Sequence, residues 1–499
     1  MRISSVIIIG TGLAGSQVAA QLISLSKVKG VGVDKITMIS KGSMQDCNSD
    51  LAQGGVAVAL NEPDADSHFS DTLTAGNSLS DQKTTRILVD EGVEVVKDMI
   101  EQGLEVDRDS QGKIELGLEG AHSKKRILHL GGDQSGHIML QFVQQQSRGQ
   151  VTVLENSFVS EILVDGNQAY GVRILDETDQ ESILMADFII LASGGCGQLY
   201  TPNANSLMIS GDGFAVAKRA GAMLERMSFV QFHPTLLNLA QNDPKCLVSE
   251  AIRGEGGVLV NSNGVEYMNG VHPLKSLAPR DVVARENFKQ IASGRSIYLD
   301  VSNVEGFKTR FPSINSTLEK LHFDVDINKL IPVIPGAHFF IGGVATDEWG
   351  KTSVNKLYAC GEVASTRVHG SNRLASNSLL ECLVFGKRVA LDILTALASA
   401  PEAKSRSTSL VLTAQRNEVL RPAPRQSSAD VAGLNLPELH ELQVRAFDSI
   451  GIIRERERVL EFVKWLAQYS RNQIVRNRDA MQLENMVELA LLISADFLK

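Results

Sequence analysis

The chain has 499 residues and a formal net charge of −9, with 43% hydrophobic and 21% charged residues. This is an ordinary globular composition, and the length predicts about three domains. The acidic balance argues against a general nucleic-acid binder, which needs a basic surface.

Cysteine spacing and the lack of long apolar runs narrow the class further. The cysteines form no CxxC pair, which predicts no disulfide framework and no metal site: Cys47, Cys196, Cys246, Cys360 and Cys382. No stretch reaches the ~18 consecutive apolar residues of a membrane span, and Val6–Ile9 is too short for the core of a signal peptide. We therefore expect a cytoplasmic protein with reduced thiols and no membrane association.

The chain begins with a strand, a glycine-rich turn and a helix. Ser5–Ile9 predicts a parallel strand buried on both faces, and Ser16–Leu25 predicts a helix. Between them lies a Gly-x-Gly-x-x-Gly turn at residues 10–15, and Lys35–Ser40 predicts the next strand. In this context the turn predicts a dinucleotide site, with the helix N-terminus facing a pyrophosphate.

The end of the second predicted strand departs from the dinucleotide fingerprint. An acidic residue that binds the ribose is expected there, but the chain has Ser40 and Lys41. We expect the adenosine side to be held differently, by these two side chains.

The middle of the chain again predicts strands, and after them the residue pattern changes. Val151–Leu154 and Val159–Val164 alternate, Asp165–Asn167 predicts a tight turn, and Phe188–Leu191 predicts another buried strand. A helix is expected from Asp212 to about residue 220. Residues 222–334 show many turns and little strand periodicity, which predicts an inserted domain.

The last part of the chain predicts a return to the first domain, followed by helices. Leu357–Ala359 predicts a strand, and a helix is expected over Asn377–Leu397. Residues 398–435 are rich in Ser, Ala and Pro, which predicts a linker. Leu439–Gln468 and Arg478–Leu498 carry apolar residues at helical spacing.

Four segments favour FAD over NAD. Cys47–Gly55 predicts a loop along a flavin, and Ile189–Gly195 is a strand that ends in a glycine pair. Leu357–Glu362 places a carboxylate after a strand, where it suits ribityl hydroxyls. Ser376–Glu381 predicts a helix N-terminus that would stabilise a reduced, anionic flavin.

Longer motifs carry a family resemblance over nearly the whole chain. In order, the chain resembles the succinate dehydrogenase/fumarate reductase flavoprotein superfamily, most closely its aspartate-oxidising branch. The motifs are Ala52–Gly55, Glu119–Ser123, Arg126–His129, Gln231–Thr235, Glu250–Gly256, Pro279–Arg285 and His369–Leu379.

The resemblance implies a fold of class α/β + α, which agrees with the residue patterns along the chain. We expect a Rossmann-like FAD-binding domain at 1–221 and 335–397, with an inserted α+β capping domain at 222–334. A linker at 398–435 and a C-terminal helical bundle at 436–499 complete the predicted division.

The predicted cofactor is FAD. Relatives that attach it covalently use a histidine where this chain has Asn48, so we expect a non-covalent flavin. The predicted FAD-binding residues are Gly10, Thr11, Gly12, Leu13, Ala14, Gly15, Ser40, Lys41, Asn48, Ser49, Asp50, Leu51, Ala52, Gln53, Gly54, Gly55, Asp212, Glu362, Ser378 and Leu379.

The resemblance also implies a dicarboxylate site. Two arginines and two histidines supply donors for two carboxylates. Arg280 has the superfamily's proton-transfer position, although a guanidinium stays protonated and is better suited to electrostatic stabilisation in the oxidase direction. The predicted substrate-binding residues are His233, Ser249, Glu250, His338 and Arg373.

Glu119 is the candidate that separates an amino-acid substrate from succinate. The resembling oxidases have Glu at this position and the dicarboxylate reductases have an uncharged residue. We predict that Glu119 pairs with the substrate amine. The alternative is a surface carboxylate beside the basic run at residues 124–126.

The implied activity is FAD-dependent oxidation of L-aspartate to iminoaspartate, with hydride transfer to flavin N5 and reoxidation by O2 or fumarate. It would open the quinolinate route to NAD, with functional coupling to quinolinate synthase. The alternative is a soluble flavoprotein of the fumarate reductase/succinate dehydrogenase type. A non-catalytic flavin-fold protein is disfavoured, because buried cationic clamps cost desolvation energy and serve no purpose without a ligand.

Overall fold

The computed structural model describes residues 4–60, 64–239, 246–399, 435–469 and 477–499. Its strands are β1 (Ser5–Ile9), β2 (Lys35–Ile39), β3 (Val56–Ala57), β4 (Leu116–Gly117), β5 (Ile127–Leu128), β6 (Thr152–Leu154), β7 (Phe158–Asp165), β8 (Gln168–Leu175), β9 (Glu181–Met185), β10 (Phe188–Leu191), β11 (Leu224–Glu225), β12 (Val230–Leu237), β13 (Val258–Asn261), β14 (Ile297–Asp300), β15 (Leu330–Phe340), β16 (Gly343–Ala345), β17 (Leu357–Ala359) and β18 (Ala364–Ser365).

The α-helices are α1 (Leu13–Lys29), α2 (Ala65–Ala75), α3 (Gln82–Glu101), α4 (Ser135–Ser147), α5 (Asp212–Arg219), α6 (Glu250–Gly254), α7 (Arg280–Ala292), α8 (Phe307–Arg310), α9 (Pro312–Lys320), α10 (Asn377–Ser399), α11 (Leu439–Ile450), α12 (Arg456–Leu466) and α13 (Arg478–Leu498). Short 3₁₀ turns cover Gly197–Leu199, Lys275–Leu277 and Gly361–Val363. None of the helices in the described ranges is long and apolar enough to cross a membrane.

A parallel sheet in the order β17-β10-β1-β2-β6 forms the centre of the fold. Val6 and Ile8 of β1 pack on one face with α1 and α10, while Ile7 and Ile9 join a core on the other face with α5 and the C-terminal helices. Burial on both faces explains the continuous apolar run of β1. The predicted strands β1, β10 and β17 are confirmed to the residue.

Helix α1 is longer at both ends than the predicted Ser16–Leu25. It begins at Leu13 because Gly12 is its N-cap, so half of the glycine-rich turn is already helical. It ends at Lys29, where Gly30 adopts the left-handed conformation with φ 65 that commonly terminates helices. The turn and the helix start are therefore one unit at the carboxyl end of β1.

A three-stranded antiparallel sheet, β7-β8-β9, follows α4 and β6. The predicted tight turn lies between β7 and β8, where Asp165 pairs with Gln168 and Gly166 has φ 58. A two-residue hairpin turn needs this positive φ, which explains the glycine.

Residues 222–334 contain more strand structure than their sequence periodicity indicates. A four-stranded antiparallel sheet in the order β12-β15-β14-β13 lies here, with its own apolar core. The register between β12 and β15 is irregular, and this obscures the alternation of apolar and polar residues from which a strand is predicted. The predicted boundary at residue 334 falls inside β15. Near the predicted boundary at residue 222, β11 pairs with β16, which belongs to the other predicted domain, so strand pairing crosses this boundary as well.

The C-terminal part is helical, with one correction. The predicted helix over Leu439–Gln468 is two helices, α11 and α12, interrupted at residues 451–455, where Gly451 ends α11. These helices and α13 share a core with the outer face of the parallel sheet. Most of the predicted linker, residues 400–434, lies outside the described residues.

Candidate active site

A large elongated pocket runs along the carboxyl ends of β1, β2, β10 and β17. It contains about 1480 Å³ of free space, part of which is open to solvent. Ligands of open α/β sheets bind at this edge, outside the carboxyl ends of the strands. The predicted cofactor residues that border it are Gly10, Thr11, Gly12, Leu13, Ala14, Ser40, Lys41, Asn48, Ser49, Leu51, Ala52, Asp212, Glu362, Ser378 and Leu379.

The glycine turn forms the pocket wall where β1 meets α1. Gly10 has φ 115, and a side chain there would overlap the carbonyl oxygen of Ala192 after β10. Gly15 does not border the pocket, and a side chain there would overlap the carbonyl oxygen of Gly10, so its role is close packing of α1. The positive end of α1 therefore faces the pocket with its backbone accessible.

The loop after β2 is fastened to the glycine turn and to the segment after β10. The Ser49 hydroxyl accepts a hydrogen bond from the Leu13 amide at 3.0 Å, in the first turn of α1. The Asn48 side chain donates to Asn205 and accepts from the Ser206 amide at 2.9 Å. The residue at the covalent attachment position is thus a neutral amide held by protein groups.

Several predicted cofactor residues in this loop do not border the pocket. Asp50 pairs with His137 at 2.8 Å. Gly54 lies against Glu119 and Ser376, and Gly55 packs tightly on β5. Gln53 also does not border the pocket, and its side-chain oxygen is buried without a hydrogen-bond partner among the described residues. Their assignment to the cofactor stays a prediction.

At the β2 end of the pocket, a lysine meets a carboxylate. Lys41 donates to Asp212 at 2.7 Å and to the Ser210 hydroxyl at 2.5 Å. Asp212 is the first residue of α5 and also accepts from Ser210. Ser40 donates to the backbone oxygen of Ser43. The two predicted adenosine-side residues and the helix-start acid therefore border one end of the pocket.

Glu362 and the start of α10 border the pocket near its other wall. Glu362 accepts from the Phe340 amide at 2.8 Å, and burial raises the pKa of this carboxyl to about 7. Ser378 and Leu379 lie in the first turn of α10. Positive φ 61 at Ser376 turns the chain into this helix.

The pocket also contains buried polar groups that no atom of the described residues satisfies. Ser193 after β10 and Arg373 both border it, and the Ser193 hydroxyl and the Arg373 Nε are buried without a hydrogen-bond partner in the described part of the chain. Buried polar atoms without partners in a native structure require an explanation, and a bound ligand supplies one. An open glycine turn, a helix N-terminus and these groups fit FAD.

Beyond the flavin pocket lies a buried cluster of charges on β12, α6 and α7. Arg280, the first residue of α7, donates to Glu250 at 2.5 Å and to the Gln231 side-chain oxygen at 3.2 Å. The second oxygen of Glu250 lies 2.9 Å from Arg253. The two arginines hold the pKa of Glu250 at about 2 against the opposing effect of burial. Glu250 is therefore an anion already paired with protein cations.

Two histidines and Arg373 form the other side of this cluster. The rings of His233 and His338 lie 5.0 Å apart, and His338 Nε2 lies 3.0 Å from Arg373. The Thr235 amide donates to His233 Nδ1, while His233 Nε2 is buried with no hydrogen-bond partner among the described residues. Burial and neighbouring Arg280 hold the pKa values of both histidines well below their ordinary range. Both rings are neutral at pH 7.

Glu119 is buried, which excludes the surface alternative raised from the sequence. It is 2% exposed and accepts from the Ser376 hydroxyl at 2.6 Å. Burial and the nearby Glu250 raise the pKa of this carboxyl. A cation placed against Glu119 would favour its ionised form.

The remaining predicted residue and two others complete the cluster. Ser249 is the N-cap of α6 and accepts from the Ala251 amide. Sequence reasoning quoted Arg253 and Gln231 inside motifs but gave them no role. Arg253 is three residues after Glu250 on one helix, and this spacing is a signal that could have identified the pair.

Comparison with known proteins agrees with the site. A family model described as an FAD binding domain matches residues 5–379. The L-aspartate oxidase of Bacillus subtilis (strain 168) is 38% identical over 93% of this chain and 82% of its own length. The L-aspartate oxidase of Halalkalibacterium halodurans is 35% identical over 98% of this chain and 89% of its own length.

Solved structures share the fold. The FrdA chain of E. coli quinol fumarate reductase, solved as a single-substitution variant, has a TM-score of 0.83 at 25% identity, covering 99% of this chain and 88% of that chain. Sdh1 of Mycobacterium smegmatis has a TM-score of 0.78 at 26% identity, covering 100% of this chain and 88% of that chain. Together with the matched family model and relatives, these likenesses show that the chain belongs to the L-aspartate oxidase family of FAD-binding flavoproteins.

Proposed function

We propose that this chain oxidises L-aspartate to iminoaspartate, with FAD as cofactor. The observation that carries the proposal is a buried cluster of cations with donors left over, next to a flavin-type pocket, in a chain of this family. The reaction removes two electrons and two protons from L-aspartate. Bound FAD supplies the hydride acceptor, and O2 (giving H2O2) or fumarate (giving succinate) restores the oxidised state.

The buried cluster provides hydrogen-bond donors for the substrate carboxylates. Arg373 has an unused Nε and no carboxylate within hydrogen-bond distance among the described residues, so it is free to bind one substrate carboxylate. His233 and His338 are the neutral partners beside it, and Ser249 lies at the N-terminus of α6.

Arg280 is proposed to act electrostatically at the reacting centre. Its contact with Glu250 holds the guanidinium in one orientation. We assign Glu250 to positioning Arg280, because both of its oxygens face arginines and neither is available to a dicarboxylate.

Glu119 is proposed to recognise the substrate amine. It is buried, has a raised pKa and lies beside the segment of Arg373 through its bond to Ser376. An ammonium group would return it to the ionised form and give a charge-assisted contact that succinate cannot make.

The alternative function is that of a fumarate reductase or succinate dehydrogenase flavoprotein, favoured by the structural likeness. Buried Glu119 favours L-aspartate over succinate, because its charge-assisted contact needs an ammonium group that succinate lacks. Asn48 supports a non-covalent flavin. Acid precipitation should release yellow flavin into the supernatant, and colour retained in the pellet would refute this point.

The deciding experiment mixes the FAD-loaded protein anaerobically with L-aspartate or with succinate. Bleaching of the flavin by L-aspartate and not by succinate is the expected result. Bleaching by succinate alone would establish the alternative. Adding O2 or fumarate afterwards identifies the acceptor.

We propose that the product enters the quinolinate route to NAD and that the enzyme is functionally coupled to quinolinate synthase. We propose a cytoplasmic location for the protein.

A further inference from the structure

The adenosine end of the proposed FAD pocket is completed by a helix from the other end of the chain. Lys41 uses three partners: Ser210, Asp212 and the side-chain oxygen of Gln482 at 2.9 Å. An ammonium group has three donors, so every proton of Lys41 is fixed. Gln482 belongs to α13, more than 430 residues after β2 along the chain.

The carboxylate beside Lys41 is held from the same helix. One oxygen of Asp212 accepts from Lys41 and Ser210, and the other accepts from the Asn485 amide group at 2.7 Å. Asn485 is 2% exposed and the Asp212 side chain 15%, so this contact is largely shielded from water. Charge-assisted bonds away from water are the stronger ones and restrict the carboxylate to one orientation.

The spacing on α13 places these contacts on one face. Arg478, Gln482 and Asn485 follow one another at four and three residues, which is the spacing of neighbours along a helix face. Arg478 donates to the backbone oxygens of Lys41 and Asn156 at 2.9 and 3.0 Å. Both the side chain and the backbone of Lys41 are therefore tied to α13.

Close packing supports the same face of α13. Leu489 lies against Gly211, the N-cap of α5, and a side chain at Gly211 would overlap it. The residue after Gly211 is Asp212, so the start of α5 cannot move away from α13 without losing this contact. Both residues of the Lys41–Asp212 pair are thus held by one element.

We propose that Gln482 and Asn485 are positioning residues for FAD, and that docking of α13 and binding of the adenosine half of FAD stabilise each other. The inference rests on the proposal that this half is held at Asp212, which Lys41 orients: the three protons of Lys41 are used, whereas the Asp212 oxygen that accepts from Asn485 has a lone pair left for an adenosine donor. Because coupling between two equilibria is reciprocal, FAD should also slow the opening of α13.

The test measures FAD affinity of the full-length protein after flavin removal, by fluorescence titration. Gln482→Ala should raise the Kd for FAD about three- to tenfold, as for loss of one hydrogen bond. Asn485→Ala should raise it about tenfold or more, because a charged acceptor loses its partner. Gln482→Glu keeps an oxygen for Lys41 and should restore wild-type affinity.

Two controls separate positioning from general helix docking. Glu488→Gln removes the charge that pairs at 2.8 Å with Arg219, at the other end of α5 from Asp212, and should change the Kd far less than Asn485→Ala does. FMN, which lacks adenosine, should bind all variants as it binds the wild type. In the wild type, FAD but not FMN should slow hydrogen exchange in α13.

Each contrary outcome has a distinct meaning. Unchanged FAD affinity in both Gln482→Ala and Asn485→Ala, with a clear loss in Lys41→Ala, overturns the inference and leaves the proposed site intact. Equal losses for FAD and FMN, or a loss in Glu488→Gln of the same size, also overturn it. Unchanged affinity in Lys41→Ala refutes the assignment of the adenosine end itself.

Discussion

Two buried arginines in this molecule, Arg126 and Arg373, have opposite surroundings. Arg126 is fully buried, and all five of its donors are used by Asp64, Asp71, Ser67 and His122. Since a guanidinium has five N–H groups, this arginine has none left for a ligand. Its partners lie on or just before α2 and in the same loop, so the network is a joint between segments.

Arg373 is also buried, but few protein acceptors face its donors. It is 3% exposed, its Nε has no partner within the described ranges, and its contacts are the neutral His338 and a long one to its own loop. Burial and repulsion from Arg280 lower the pKa of Arg373 to about 9. The ring of Phe339 lies 4.5 Å from the guanidinium carbon.

The difference separates a structural cation from a binding one. A buried charge that is fully paired belongs to the fold, whereas a buried charge with donors left over is held ready for an anion at a cost in stability. This contrast supports the proposal that Arg373 binds a substrate carboxylate.

The largest expected effect is on stability, at Arg126. Arg126→Leu leaves Asp64 and Asp71 unpaired and should lower the free energy of unfolding by about 3–5 kcal/mol. Arg373→Leu should leave it unchanged or raise it, because it removes an unpaired charge. Urea unfolding of the FAD-loaded variants measures both values. A loss of the same size in Arg373→Leu would remove the distinction.

The next effect is on catalysis, at Arg373. Arg373→Leu should lower kcat/KM for L-aspartate by about 2–5 kcal/mol, which is about thirtyfold to several thousandfold, because a substrate carboxylate loses its charge partner. Steady-state kinetics provide the measurement, with Arg126→Lys as the control. Wild-type kinetics in Arg373→Leu would show that the site is elsewhere.

A smaller effect on catalysis is expected at Glu119, the proposed partner of the substrate amine. Glu119→Gln removes the charge with little change of shape and should lower kcat/KM for L-aspartate by about 1.5–3 kcal/mol, or roughly ten- to more than hundredfold. Fumarate reduction by the chemically reduced protein should persist, because fumarate has no amine. If both activities fall together, Glu119 is structural.

The smallest effect concerns pH and the carboxyl of Glu362. Burial raises its pKa from 4.5 to about 7 in the folded, flavin-free protein. Between these values the unfolded chain releases the proton while the folded chain keeps it, so stability falls as pH rises. We expect a decline of about 1–2 kcal/mol, reduced from the full shift by partial exposure.

Unfolding of the flavin-free protein across pH 4–8 tests this expectation. Glu362→Gln cannot ionise and should lose this part of the decline, while Glu488→Gln should keep it. The same slope in Glu362→Gln as in the wild type would place the decline in other groups.

Local patterns predicted the sheet and the pocket wall well. Apolar runs identified β1, β10 and β17, since strands buried on both faces have a continuous signature. The glycine turn marked the start of α1 because its close contacts exclude side chains. The family motifs brought His233, Arg280 and Arg373 to attention before any geometry was known.

Pairing between distant residues could not be predicted. Nothing local shows that Glu250 is already paired with Arg280, 30 residues away, or that Arg126 meets Asp64, 62 residues away. The contact of Gln482 with Lys41 depends on how the C-terminal helices share a core with the sheet. Such contacts follow from packing, which periodicity does not encode.

The most direct test of the account measures how fumarate stabilises the FAD-loaded protein against urea. At 100 times its Kd, a ligand adds about 2.7 kcal/mol to the free energy of unfolding. The wild type and Arg126→Lys should both show this gain as fumarate increases, because their clamp is intact. Arg373→Leu should show none at the same concentrations, and a full gain in that variant would contradict the assignment of Arg373 as the dicarboxylate clamp.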